Sequence, residues 1–203
     1  MVEGRQSEHN NDWPPVREEF NYYKEIISAL KSIEDGKDID TIRKVTNTWR
    51  CEYQKHLGLG KRIFIIGNGG SCAIAEHIST DLNKRCKVKA TTLSNNSLLT
   101  ALTNDYGQEN AFVEWMKINN FGQTDFLVAI SSSGKSPNIL NAINHTNDCL
   151  GYALAIFGMD GESPFTGNRY EDNYIHIDSH NYGVIELTSE IILHGIVEDL
   201  VIE

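Results

Sequence analysis

Arg62, Ile63, Phe64, Ile65 and Ile66 make a short apolar, β-branched run that ends in Gly67-Asn68-Gly69-Gly70-Ser71. Ala73, Ala75, His77 and Asp81 follow at helical positions. A run of this length and composition reads as a strand, and the glycines after it permit a turn that no other residue could make as tightly. Strand, sharp turn and helix in direct succession are the opening of a parallel α/β arrangement. The junction also has chemical meaning. Unpaired N–H groups and the helix dipole point at one spot, where a phosphate can sit. The turn is neither a dinucleotide fingerprint, whose third glycine would fall at Cys72, nor a Walker loop, since no Gly-Lys-Ser/Thr follows.

The rest of the chain repeats the alternation. Strand-like runs at 88–93, 126–130, 152–157 and 174–177 are separated by helical patterns at 97–103, 109–119 and 137–149, and a last helix spans 184–201. The strands are apolar throughout rather than at every second residue, as expected of strands buried on both faces. The predicted fold is therefore a three-layer, doubly wound α/β domain with a parallel sheet of flavodoxin-like type. Two additional N-terminal helices are expected, one at 16–33 and one beginning at Asp38 or Asp40 and running to about Leu57. Residues 1–15, with Asn10, Asn11, Pro14 and Pro15, read as a flexible tail, and 16–203 as one domain.

Charge and composition narrow the function. With 18 Lys and Arg against 28 Asp and Glu, the net charge is -10, which disfavours a nucleic-acid or anionic-membrane partner. Cys51, Cys72, Cys86 and Cys149 are scattered, so neither a disulfide framework nor a cysteine zinc site is expected. The N-terminus is polar and no run reaches the roughly 18 apolar residues of a membrane span, which makes the cytoplasm the expected location.

Three further constellations carry chemistry. Ser131-Ser132-Ser133-Gly134-Lys135-Ser136-Pro137 follows a predicted strand, and Ser136 and Pro137 suit the cap and first position of the next helix. Hydroxyls, free amides and a helix N-terminus at a strand's carboxyl end can grip a phosphate. His77 and Asp81 lie four apart on one helix face that continues to Arg85, and Glu186, Glu190 and His194 repeat the spacing near the C-terminus. Two histidines and two carboxylates can close a tetrahedral zinc site or supply acid/base pairs, and ordinary surface pairs have the same spacing. Asn104-Asp105, closing a short helix, can hydrogen-bond sugar hydroxyls, as can any Asn-Asp turn.

Taken together and in this order, these motifs resemble the sugar isomerase (SIS) domain family, and within it the phosphoheptose isomerases. The resemblance covers about residues 20–200. It implies isomerisation of sedoheptulose 7-phosphate to D-glycero-D-manno-heptose 7-phosphate through an enediol(ate), an early step towards activated heptose for lipopolysaccharide or capsule. It implies a homotetramer with sites between subunits and one zinc ion per subunit. By position, Asn68, Gly69, Gly70, Ser71, Asn104 and Asp105 match contacts to the sugar chain. Ser131, Ser132, Ser133 and Ser136 match the phosphate grip, and Arg85 matches a basic residue near the site. His77, Asp81, Glu186 and His194 fall at metal positions, with Glu186 also facing substrate and Asp81 and His194 as acid and base. Asp81 stands where the family usually has Glu, Glu186 where it has Gln, and Gly183 where it has an acid. The first change shortens an acid/base arm by one methylene, about 1.5 Å. The competing readings are an isomerase of a related sugar phosphate and a non-catalytic SIS protein of the replication-initiation type, which binds a phosphosugar or a protein.

Overall fold

The computed structural model describes residues 21–36, 61–159 and 173–201, together with residues 39, 40, 43, 44 and 47. Five parallel strands form one sheet in the order β2-β1-β3-β4-β5. They are β1 (Ile63–Gly67), β2 (Ala90–Thr91), β3 (Phe126–Ser131), β4 (Tyr152–Gly158) and β5 (Tyr174–Ile177). The described helices are α1 (Asn21–Asp35), α2 (Gly70–Lys84), α3 (Asn96–Tyr106), α4 (Ala111–Ile118), α5 (Pro137–Asp148) and α6 (Tyr182–Leu200).

The apolar runs become central strands because both faces are covered. Every residue of β1 and β3 is buried. Successive side chains point to opposite faces. Ile63, Ile65, Val128, Ile130, Leu154 and Ile156 pack with Ile74, Ile78, Leu193 and Ile196, on the side of α1, α2 and α6. Phe64, Ile66, Leu127, Ala129, Ala153 and Phe157 pack with Leu102, Trp115, Ile139 and Ile143, on the side of α3, α4 and α5. Each fully buried Ile, Leu or Phe contributes about 1.5–3 kcal/mol, so these two clusters carry the fold.

Most predicted elements appear within two or three residues of their expected ends. The strand expected at 88–93 shrinks to Ala90–Thr91, since it is an edge strand paired only through Ile63↔Ala90 and Phe64↔Thr91. The helix expected at 109–119 divides into a 3-10 turn, Gln108–Asn110, and α4. Pro137 takes the first turn of α5 as expected. Ser136 stands at the cap position but makes no side-chain cap bond, which leaves its hydroxyl for the crevice it borders. The tail expected at 1–15, residues 16–20 of the first expected helix and most of the helix expected to run to Leu57 lie outside the described residues.

Chain order sets the place of a ligand. From β1 the chain goes to β2 on one side, then crosses to β3 on the other. The loops leaving β1 and β3 therefore diverge and open a crevice at the carboxyl edge of the sheet.

The opposite edge is latched by Arg62. Its Nε donates to Asp125 Oδ1 at 3.1 Å and its Nη2 to Oδ2 at 2.7 Å. The same guanidinium donates to the carbonyls of Asn119 and Asn120 and lies 5.0 Å over the Phe64 ring. The Asp125 side chain is only 4% exposed, so losing Arg62 strands a buried carboxylate. Arg62→Ala is expected to lower stability by about 2–3 kcal/mol in urea unfolding, and Arg62→Lys to recover only part, because Lys lacks the fork.

Candidate active site

Two loops meet at the crevice. In the first, Gly69 has φ +56°, a left-handed conformation that suits glycine, and α2 starts at the next residue. A Cβ on Gly67 would lie 2.6 Å from the backbone of Ser71, so the turn closes only with glycine there. In the second loop, Gly134 turns at φ +65° after β3. Gly69, Gly70, Ser71, Ser131, Ser132, Ser133 and Ser136 line one cavity of about 290 Å³. The Ser131 hydroxyl is buried without a partner among the described residues, so this cavity holds an unspent polar group. The N-termini of α2 and α5 both open at the crevice, giving the positive end of two helix dipoles.

Glu186 enters the same cavity from α6, and Tyr182, 60% exposed, stands at its rim. The Glu186 carboxylate occupies the space where a Gly70 side chain would be, 2.5 Å from an added Cβ. Asn104 lines a neighbouring cavity of about 510 Å³ with Thr100 and Thr103, on the other side of the glycine turn. Asp105 is exposed, and its carboxylate accepts from Asn104 Nδ2 at 2.9 Å. Cys72 also lines that cavity. Burial and the nearby Glu76 carboxylate push its thiol pKa up, which disfavours the thiolate a nucleophile needs.

His77 lies farther along α2, and His194 stands beside it on α6. α2 and α6 run side by side in one direction, since Gly70 meets Glu186, Asp81 meets His194 and Arg85 meets Glu198. His194 Nδ1 is 3.7 Å and His77 Nε2 4.0 Å from the same oxygen, Asp81 Oδ2. The two rings stand edge to face at 5.1 Å. Arg85 lies 3.7 Å from that carboxylate and is anchored by Glu198 at 2.7 Å. One ligand atom from each of His77, Asp81 and His194 falls within 4.8 Å of the others.

This trio fits a divalent metal. Ligand atoms about 2.0–2.2 Å from a tetrahedral zinc stand roughly 3.4 Å apart, so a small inward shift suffices. Two imidazoles and one carboxylate are the donors of an open zinc site. Glu186, the fourth residue at the expected metal positions, is not in this group. It sits two turns, about 12 Å along α6, before His194, with its carboxylate against Gly70. Glu198 has no place in the sequence analysis; it continues the Glu190–His194 stripe by one more turn and could have been found that way. Asn138 ends the serine motif that carries the family resemblance, with no role attached to it there.

The SIS domain family matches residues 21–158. This chain belongs to the SIS domain family. It is 39% identical over 147 residues to a phosphoheptose isomerase of Helicobacter pylori, covering 68% of this chain and 73% of that one. It is 30% identical over 186 residues to phosphoheptose isomerase 1 of Campylobacter jejuni, covering 88% and 92%. The solved structure of a phosphoheptose isomerase from Neisseria gonorrhoeae superposes with a TM-score of 0.78 at 23% identity, over 88% of this chain and 94% of that one. The structural likeness establishes the SIS fold, with the crevice between β1 and β3 at its switch point.

The two glycines separate turn geometry from side-chain placement. Gly67→Ala drives a Cβ into backbone and is expected to cost about 2–3 kcal/mol. Gly70→Ala meets only the end of a flexible side chain at a helix start, so urea unfolding should register less than about 1 kcal/mol while Glu186 swings away.

Proposed function

We propose that this protein is a phosphosugar isomerase that converts sedoheptulose 7-phosphate to D-glycero-D-manno-heptose 7-phosphate. The observation that carries the reading is a serine-lined cavity at the start of α2, with His77 and Asp81 farther along that helix and His194 beside them on α6. His77 lies seven residues beyond Gly70, about 10 Å along α2. Three backbone bonds of an extended chain span about 3.3–3.6 Å, so the eight bonds from C1 to phosphorus span about 9–10 Å. The length of a seven-carbon ketose phosphate therefore matches the span from Gly70, which lines the serine cavity, to His77. The names of the Helicobacter and Campylobacter relatives support the same substrate.

Ser131, Ser132, Ser133 and Ser136, with the N-terminal amides of α5, hold the phosphate. That remote binding energy positions the reacting carbons. Asn68, Gly69, Gly70, Ser71 and Asn104 flank the chain, and Glu186 accepts from its hydroxyls. The Asp81 carboxylate takes the proton from C1, and an enediol(ate) forms. His194 returns a proton to C2, and the hydroxyl proton passes from O1 to O2. Asp81 Oδ2 faces both histidines, which leaves Oδ1 for the substrate proton. Arg85, tied to Glu198, orients that carboxylate. Zinc bound by His77, Asp81 and His194 supplies Lewis acidity for the substrate carbonyl.

The same reading makes the chain a cytoplasmic homotetramer that serves heptose synthesis for lipopolysaccharide or capsule, with sites between subunits. Leu187 and Ile191, exposed at 41% and 46% on α6 beside His194, support an interface there. No described helix is long and apolar enough to cross a membrane.

Incubation with sedoheptulose 7-phosphate, followed by proton NMR of the product, tests the activity. Asp81→Asn and His194→Gln are each expected to lower kcat by about 10²–10⁴. Full activity in both refutes the assignment, and binding without turnover returns the non-catalytic class. Metal analysis is expected to find zinc in the purified protein and a loss of it in His77→Ala. Wild-type protein that takes up no metal removes zinc from the reading.

A further inference from the structure

Asn68 in the glycine turn and Asn138 in the first turn of α5 face each other across the crevice. Asn68 Nδ2 donates to Asn138 Oδ1 at 3.0 Å, and Asn138 Nδ2 donates to Asn68 Oδ1 at 2.9 Å. The two residues are 70 apart in sequence, one after β1 and one after β3. Asn138 is 6% exposed. The Ile139 N–H also donates to Asn138 Oδ1, at 3.1 Å, so the first turn of α5 fixes which end of the amide is oxygen. Asn68 borders both cavities described above, and Asn138 borders the larger of the two.

We propose that Asn138 is a positioning residue, and that its amide pair with Asn68 sets the spacing between the serine loop and the helix that carries His77 and Asp81. The family resemblance places Asn68 among the substrate contacts. Here one N–H and one lone pair of its side-chain amide are engaged by Asn138, which fixes the orientation of the amide and leaves one of each for a ligand. The phosphate grip belongs to the loop after β3, and His77 and the base Asp81 belong to the helix after β1. Main-chain pairing of the two strands ends at Gly67↔Ile130, just below the loops. Beyond that point the amide pair is a direct polar tie between them. A ligand held at both ends needs that spacing kept, and a displacement of about 1 Å at a reacting centre can cost on the order of 10²-fold in rate.

The kinetic half of the proposal rests on the isomerase reading, and its structural half does not. In the isomerase assay, Asn138→Ala is expected to lower kcat about 10–100-fold. Inhibition by inorganic phosphate should stay within about threefold of wild type, because the serine loop itself is intact. Asn68→Ala, Asn138→Ala and the double variant should lose similar amounts, since the two side chains act as one unit. Asn138→Asp preserves size and the acceptor but lacks the donor; it guards against simple misfolding and should lose an intermediate amount. A lowered melting temperature with unchanged kcat, or additive losses in the double variant, overturns the proposal. If wild-type protein does not turn over the sugar phosphate, the isomerase reading fails and the tie is read by itself. In nitrogen-15 NMR, Asn138→Asp should then shift the signals of Gly69 and Gly70 across the crevice as well as those of Ser131–Ser136. Shifts confined to the serine loop would sink the tie.

Discussion

The parallel pairing of β1 with β3 is the constraint on which everything else rests. Five consecutive residue pairs, Ile63↔Phe126 to Gly67↔Ile130, zip the two central strands together, and all of these residues are buried. Both strands end at the same edge, so their loops start side by side. The chain leaves them in opposite directions, and the gap between the departing loops becomes the crevice. Arg62 and Asp125 clamp the far ends of the same two strands. The binding loops thus hang from a rigid, dry pair of strands whose register is held at both ends.

Charge is arranged along α2 in a graded way. Its N-terminus presents amides and a dipole to the crevice, with Glu186 beside it. Two to three turns later come His77 and Asp81, then Arg85 with its anchor Glu198. α6 runs alongside in the same direction and answers each feature with one of its own. A chain with net charge -10 can still bind an anion, because the site relies on oriented amides and hydroxyls rather than on a basic surface.

Glu186 shows where local pattern and tertiary placement part. Its spacing of eight from His194 puts it on the same face of α6, and so near the metal positions by resemblance. The structure brings Asp81 and His194 together but leaves Glu186 about two turns away, against a glycine without a side chain. Ser136 shows the same limit on a smaller scale. Its position as a helix cap was readable from the following proline, but whether its hydroxyl bonds its own helix was not.

The sequence by itself determined the alternating elements, the two loops at strand ends and the His77/Asp81 pair. These depend on periodicity of two or 3.6 residues, on glycine and proline, and on neighbours within one helical turn. The tertiary structure decided which side chains from distant elements meet. Asn68 with Asn138, Asp81 with His194 and Arg85 with Glu198 are joined across 70 to 113 residues. Sheet order and helix packing set those meetings, and neither leaves a mark in any local stretch of the chain. The glycine turn was legible as a turn. That its asparagine is tied to the opposite loop, and its last glycine makes room for a glutamate, became visible only once the two sides of the crevice were brought together.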